Sequence, residues 1–268
     1  MYSDCHIHCS PDANGADVLK AMDAREMDRA LLIAPHMADS NEDAMRSIDI
    51  IAEICSADPE RLVGFAWIEP TLSGAVEQVE HAVNDKGLKG IKMIPDHWYP
   101  YEERFFPVYE KIQELRKPML FHSGILFGNM DSSRFCRPVF YEVMLHFPKI
   151  KFALAHISWP WTDECIAVAG RMRAAVRRGD VGQMQMYIDI TRGTPEFYRA
   201  DALDKALKYI GADWIIYGSD DRAPGDLSHS HRGIQVDREF ICRQLGHSSE
   251  DFEKIANGNF GKFLAPMD

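Results

Sequence analysis

Two histidines one residue apart, His6 and His8, end the first apolar run of the chain, and three more ionisable side chains end later runs. These are His122 in F-H-S-G, His156 in L-A-H-I-S and Asp220 in Y-G-S-D-D. Alternate residues of a strand share a face, so the imidazoles of His6 and His8 point the same way, with Asp4 on that side one pleat deeper. Two neighbouring imidazoles suit a borderline-soft divalent metal. The small residues after each run let the chain turn and let a ligand approach. Any one of these histidines alone would be read as a packed core or loop residue. Their combination at the ends of apolar runs points to a metal site. His36, His81, His97, His146 and His247 receive no ligand role, and His81 and His146 fall in helical stretches.

The elements that must position these residues alternate along the chain. Short apolar runs predict strands at Tyr2 to His8, Arg29 to Ala34, Leu62 to Ile68, Leu88 to Ile94, Pro118 to His122, Lys151 to His156, Met184 to Ile190 and Trp214 to Gly218. Their near-continuous apolar character suits a parallel sheet buried on both faces. Three- and four-residue apolar spacing predicts helices between them, at Ala16 to Met27, Asn41 to Ala57, Leu72 to Lys86, Glu102 to Arg116, Arg137 to His146, Trp161 to Arg178, Pro195 to Tyr209 and Gly233 to Leu245. The tail Ser249 to Leu264 reads as one extra helix. Eight strands alternating with eight helices predict a single (β/α)8 TIM barrel spanning residues 1–268, close to the usual size of about 250 residues. No G-x-G-x-x-G follows the first strand, which argues against an open doubly wound sheet. Active sites of such barrels lie at the C-terminal strand ends, where the five residues fall.

Composition narrows the function classes. Lys plus Arg number 30 and Asp plus Glu 41, giving a net charge of −11. That balance argues against nucleic acid or an anionic membrane as partner and leaves a small-molecule substrate. The basic run Arg171 to Arg178 reads as a solvated helix face or subunit contact. No run of about 18 apolar residues predicts a membrane span, and M-Y-S-D-C-H-I-H lacks the basic and apolar regions of a signal peptide. A cytoplasmic protein with its six scattered cysteines reduced is therefore expected. His97 and Trp98, with Tyr99, follow the fourth strand and are expected to wall a substrate pocket. Arg222, beside Asp221, and Arg134 and Arg137, after His122, are candidates to bind an anionic group. Glu69 reads as a loop residue, and His229-Ser230-His231 as a polar loop suited to a lid.

D-C-H-I-H, F-H-S-G, L-A-H-I-S and Y-G-S-D-D, in this order, resemble the amidohydrolase superfamily. So do G-L-K-G-I-K-M-I-P and S-R-F-C-R-P-V-F-Y-E-V, which are similar to its amidohydrolase-related branch of aminocarboxymuconate semialdehyde and resorcylate decarboxylases. The similarity runs from Asp4 to about Phe263. It implies His6, His8, His122 and Asp220 as ligands of one divalent metal, zinc in most members and manganese in some. It implies His156 beside the metal as a catalytic group, and Asp220 as the handler of the proton of an activated water. Binuclear members bridge two metals with a carboxylated lysine. Lys92 is the candidate for that position, or for a plain cation that binds a substrate carboxylate. A homodimer is common among the proteins it resembles.

The function expected from this resemblance is a metal-dependent hydrolase that activates water against a small amide, ester or lactone carbonyl. The alternative is a nonoxidative decarboxylase on the same ligands, which an arginine aimed at a carboxylate beside the metal would favour. D-C-H-I-H-C-S-P-D also resembles the opening of polymerase-and-histidinol-phosphatase phosphoesterases, but Asp220 is followed by Asp221-Arg222 rather than by the D-x-H expected there. A metal-binding barrel without catalysis is the remaining reading.

Overall fold

The computed structural model describes residues 1–128, 131 and 133–267. The strands are β1 (Tyr2–Cys9), β2 (Met27–Ile33), β3 (Leu62–Trp67), β4 (Gly90–Met93), β5 (Met119–Phe121), β6 (Phe152–Leu154), β7 (Met186–Asp189), β8 (Ile215–Ile216) and β9 (Asp221–Ala223). Each of β1 to β7 pairs in parallel with its successor, and β9 pairs in parallel with the far side of β1. The chain between β8 and β9 also runs along β1. The Cys5 amide donates to the Tyr217 carbonyl and the Asp220 amide to the His6 carbonyl, each at 2.9 Å. β9 thus continues the eighth strand after a break, and the ring of eight positions closes as the sequence predicts. The strand interiors are buried on both sides, as their unbroken apolar runs require; Leu32, Phe65, Leu120, Leu154 and Ile216 have no exposed surface.

Helices α1 (Gly15–Ala24), α2 (Asn41–Cys55), α3 (Ala75–Glu80), α4 (Phe106–Glu114), α5 (Thr162–Arg178), α6 (Glu196–Tyr209) and α7 (Ser228–Arg238) surround the sheet. Asn14 caps α1 by accepting from the Asp17 amide, and Ser40 caps α2 by accepting from the Asp43 amide. Among the described residues no helix is long and apolar enough to cross a membrane.

Three predicted elements differ. The segment expected to be helical at Arg137 to His146 is a 3-10 helix, Pro138–His146. Of its buried residues, Pro138, Tyr141 and Met144 recur every third position, the period of that tighter helix, with Val143 beside them. α1 stops at Ala24 because Glu26 adopts a left-handed φ of 55°, which turns the chain into β2 two residues earlier than expected. The stretch expected to begin at Gly233 begins at Ser228, so His229-Ser230-His231 forms the first turn of α7 and not a loop. Ser230 there is fully buried and its hydroxyl donates to Asp4, which a lid could not allow.

The tail folds as α8 (Ser249–Glu253), a π-helical turn (Lys254–Gly258) and α9 (Asn259–Leu264). It covers the N-terminal end of the barrel. Asn259 Nδ2 donates to the carbonyls of Ala212 and Ile215, and the Phe263 ring packs on Phe65 and Tyr187.

Candidate active site at the C-terminal strand ends

β1 delivers His6 and His8 to the opposite, open end, and the break after β8 delivers Asp220. The Nε2 atoms of the two histidines lie 3.2 Å apart. Asp220 Oδ1 stands 3.3 Å from His8 Nε2 and 3.6 Å from His6 Nε2. These three donor atoms converge tightly enough to hold one metal ion. His122 stands one ring further out. Its ring centroid is 4.9 Å from that of His156, which in turn is 5.4 Å from His6. His122 Nε2 is buried and has no hydrogen-bond partner, which is costly for a polar atom unless something else binds it. A fourth ligand position fits that atom.

Second partners fix how these rings face. His6 Nδ1 lies 2.8 Å from Asp189 Oδ2, and both side chains are fully buried. Asp189 is itself held by the amide and hydroxyl of Thr191. His6 therefore commits Nδ1–H to a carboxylate and presents the Nε2 lone pair to the site. His156 Nδ1 lies 2.8 Å from the Arg192 carbonyl, which only accepts, so His156 likewise presents Nε2. Beneath them, the buried Asp4 accepts from the amides of His6 and Ser219 and from Ser230 Oγ. Burial raises its carboxyl to about 7 despite these bonds.

Backbone strain concentrates here. His156, Ile157 and Ser158 all take left-handed φ values of 60°, 43° and 55°, and Asp220 takes 62°. Non-glycine residues there cost about 1–3 kcal/mol each and persist only where the surroundings hold them. Burial pushes the imidazoles of His6, His8, His122 and His156 below the ordinary histidine range, so they are neutral at pH 7 with free lone pairs. For Asp220 burial works upward. The hydrogen bond with His8, the largest opposing influence, helps carry the carboxyl below the usual range.

The site opens into a cavity of about 460 Å³ whose lining includes His8, His122, His156, Asp220, Arg192 and Arg222. Trp67, stacked on His36 with centroids 4.2 Å apart, and the apolar Ile94, Ile125 and Leu126 form other parts of its wall.

Of the expected substrate contacts, Arg222 lines this cavity and three residues do not. Trp98 is fully buried against Phe105. A large indole gains more from burial than from a solvated wall, and it turns into the core after Pro95. His97 points outward, 57% exposed, with Nδ1 on Asp96. Lys92 is fully buried and reaches the ligand cluster itself, its Nζ 3.1 Å from His6 Nε2, and burial lowers its ammonium pKa to about 8. Arg134 and Arg137 pair with Asp131 and Glu164 instead. Glu69 is buried rather than a solvated loop residue, and its carboxylate accepts from Thr71.

Asp189, Arg192 and Trp67 belong to the site but were not singled out from sequence. A signal for Asp189 was present: M-Y-I-D-I carries an ionisable residue one position before the end of the seventh apolar run.

Residues 3–264 match the family model described as Amidohydrolase. By sequence, no protein of curated function matches the chain. Solved structures of similar fold include a 5-carboxyvanillate decarboxylase from Novosphingobium aromaticivorans complexed with manganese, at TM-score 0.67 and 16% identity over 92% of this chain and 79% of that one. A 2,6-dihydroxybenzoate decarboxylase from Rhizobium gives 0.67 at 19% identity, over 92% and 87%. The 4-oxalomesaconate hydratase from Rhodopseudomonas palustris gives 0.66 at 16% identity, over 98% and 95%. At these identities the likeness is one of fold.

Proposed function

This chain belongs to the amidohydrolase family, and on that premise we propose that it is a metal-dependent nonoxidative decarboxylase of a small carboxylic acid. The observation that carries the proposal is Arg192 and Arg222 in the cavity that also holds His8, His122, His156 and Asp220. Neither arginine has a carboxylate partner within 4.0 Å among the described residues, whereas a carboxylic acid would supply one. An amide, ester or lactone carbonyl carries no charge to match two guanidinium groups. Decarboxylases among the structures of similar fold support the same preference.

His6, His8 and Asp220, with His122 as a fourth, would hold one divalent cation. The nitrogen-rich set suits zinc, and manganese is the ion in the 5-carboxyvanillate decarboxylase. When bound, such a cation polarises a substrate oxygen as a Lewis acid. The remaining chemistry falls to the chain's own groups. His156 Nε2 faces the cavity and can hydrogen-bond a substrate oxygen as charge builds on it. Asp220, ionised and open to the cavity, can take up a proton and deliver it to the carbon that bears the carboxylate. The bond to the carboxyl carbon then breaks, its electrons stay with the substrate carbon as the proton joins, and neutral CO2 leaves. One proton is consumed and no water.

The test is CO2 release by the metal-loaded protein from a panel of aromatic and unsaturated carboxylic acids, beside amides, esters and lactones in ¹⁸O-labelled water. CO2 without label in the product is the expected result. Hydrolysis of the neutral panel with ¹⁸O in the product acid, and no CO2, would overturn the proposal.

A further inference from the structure

We infer that Ser230, in the first turn of α7, is a positioning residue that sets Asp220 against His6 and His8. The inference depends on the ligand set described above and not on which reaction follows.

Strand pairing is interrupted on both sides of the seam where these ligands meet. On β1 the break falls at the first histidine. Asp4 pairs with Ala30 and Ile7 with Leu32, so β1 advances one residue more than β2 over the same span. Such a bulge re-aims a side chain and leaves a backbone group without its ladder partner. The His6 amide turns instead to Oδ1 of Asp4, at 2.9 Å. Across the seam, β8 ends at Ile216 and strand structure resumes only at Asp221. Asp220, just before it, holds a left-handed φ of 62°. Neither His6 nor Asp220 is therefore fixed by an unbroken ladder.

Ser230 supplies the tie from outside the sheet. Its hydroxyl donates to Asp4 Oδ2, while Asp4 Oδ1 accepts from the amides of His6 and of Ser219, the residue before Asp220. Its amide donates at 3.0 Å to Oδ2 of Asp221, the residue after Asp220. Its carbonyl accepts from the Tyr217 hydroxyl at 2.6 Å, and its hydroxyl oxygen from the Tyr2 hydroxyl at 3.2 Å. All four hydrogen-bonding functions of this one residue reach β1 or the stretch from Tyr217 to Asp221. Both neighbours of Asp220 are bracketed by it, one directly and one through Asp4. Cohesion alone would not select this arrangement. Ser230 and Asp4 have no exposed surface, and a buried carboxylate is costly where an apolar side chain would pack. A carboxylate bound by donors on three separate segments instead fixes the distances between them, and two of those segments carry the ligands.

The experiment reads geometry as well as affinity. Co2+ is titrated into the full chain, with affinity taken from competition with a chelator and coordination from the visible absorption bands. Ser230→Ala should weaken Co2+ binding at least about tenfold and shift the bands. Ser230→Thr, which keeps the hydroxyl, should recover most of both. Ser3→Ala controls for general softening of β1. It removes a buried hydroxyl from the same strand, bonded to Asn257 at the other end, and should leave affinity and bands at wild-type values. Melting midpoints of the metal-free proteins check that they fold. Should Ser230→Ala fail to fold, Tyr2→Phe removes only the outer bond to the same hydroxyl and should weaken Co2+ binding about two- to threefold. Wild-type affinity and bands in the folded variant would overturn the inference. So would an equal loss in Ser3→Ala, or a folded Ser230→Thr no better than Ser230→Ala. A wild-type chain that binds no Co2+ would instead remove the ligand set itself, and the inference with it.

Discussion

The two ends of the barrel solve burial differently. At the N-terminal end, buried polar side chains are tied to main-chain carbonyls. Gln185 Nε2 donates to Met144, Phe147 and Ile150, Lys151 Nζ to Lys262 and Ala265, and Asn259 Nδ2 to Ala212 and Ile215. At the C-terminal end, buried polar side chains meet one another: His6 with Asp189, His8 with Asp220, Lys92 with His6, Ser230 with Asp4. Left-handed His156, Ile157, Ser158 and Asp220 sit at that same end. One end is built for cohesion. The other carries strain and convergent lone pairs that stability alone would not select.

That contrast can be broken experimentally, and the largest effect should come from His122→Ala. Bound metal, measured by plasma mass spectrometry, should fall from about one per chain to near zero, with turnover at background. A variant that keeps its metal would remove His122 from the ligand set. At the other end, Phe263→Ala should lower unfolding free energy by about 3–5 kcal/mol in denaturant titration, because a fully buried ring is lost. The folded fraction should keep its kcat/KM. A loss of activity per folded molecule would show that the two ends are not separable. Asp189→Ala should weaken metal affinity about 10–100-fold in a chelator competition, and Asp189→Asn should restore part of it. Unchanged affinity would mean that Asp189 packs beside His6 without orienting it.

The smallest effect lies outside both ends. His81 bonds Asp49 and Asp85 on the barrel's flank. Burial lowers its imidazole pKa, but the two carboxylates outweigh that and raise it overall. A raised folded value means that its stabilisation is full below the unfolded pKa and fades as pH rises through the folded one. His81→Gln should remove that fading, worth about 0.3–1 kcal/mol for so exposed a pair. Urea midpoints at pH 5.5 and 8.5 would measure it, and equal slopes in both proteins would exclude the pair as a contributor.

The barrel was legible because buried parallel strands leave unbroken apolar runs that need no tertiary knowledge to recognise. His6, His8, His122, His156 and Asp220 were legible because strand ends define the open face. What failed was direction after the strand ends. Nothing in H-W-Y states that the chain turns inward at Trp98 and outward at His97, since packing of Phe105 decides it. The polarity of S-H-S-H suggested a solvated loop. Ser230 is polar because it serves a buried carboxylate, and polarity alone does not distinguish the two. Lys92 had the right parity, and its Nζ reaches His6 Nε2 at the ligand cluster without lining the open cavity.

The tail at the N-terminal end also constrains the order in which the molecule is made. Ser3 Oγ on β1 donates to Asn257, 254 residues later, and Phe65 waits for Phe263. A ribosome extruding the chain from its N-terminus therefore emits strand after strand whose floor has not been synthesised. Pairings this distant in sequence are slow to form. Until this tail emerges, the nascent barrel exposes its lower rings, and the docking of Asn257 and Phe263 ends that exposure.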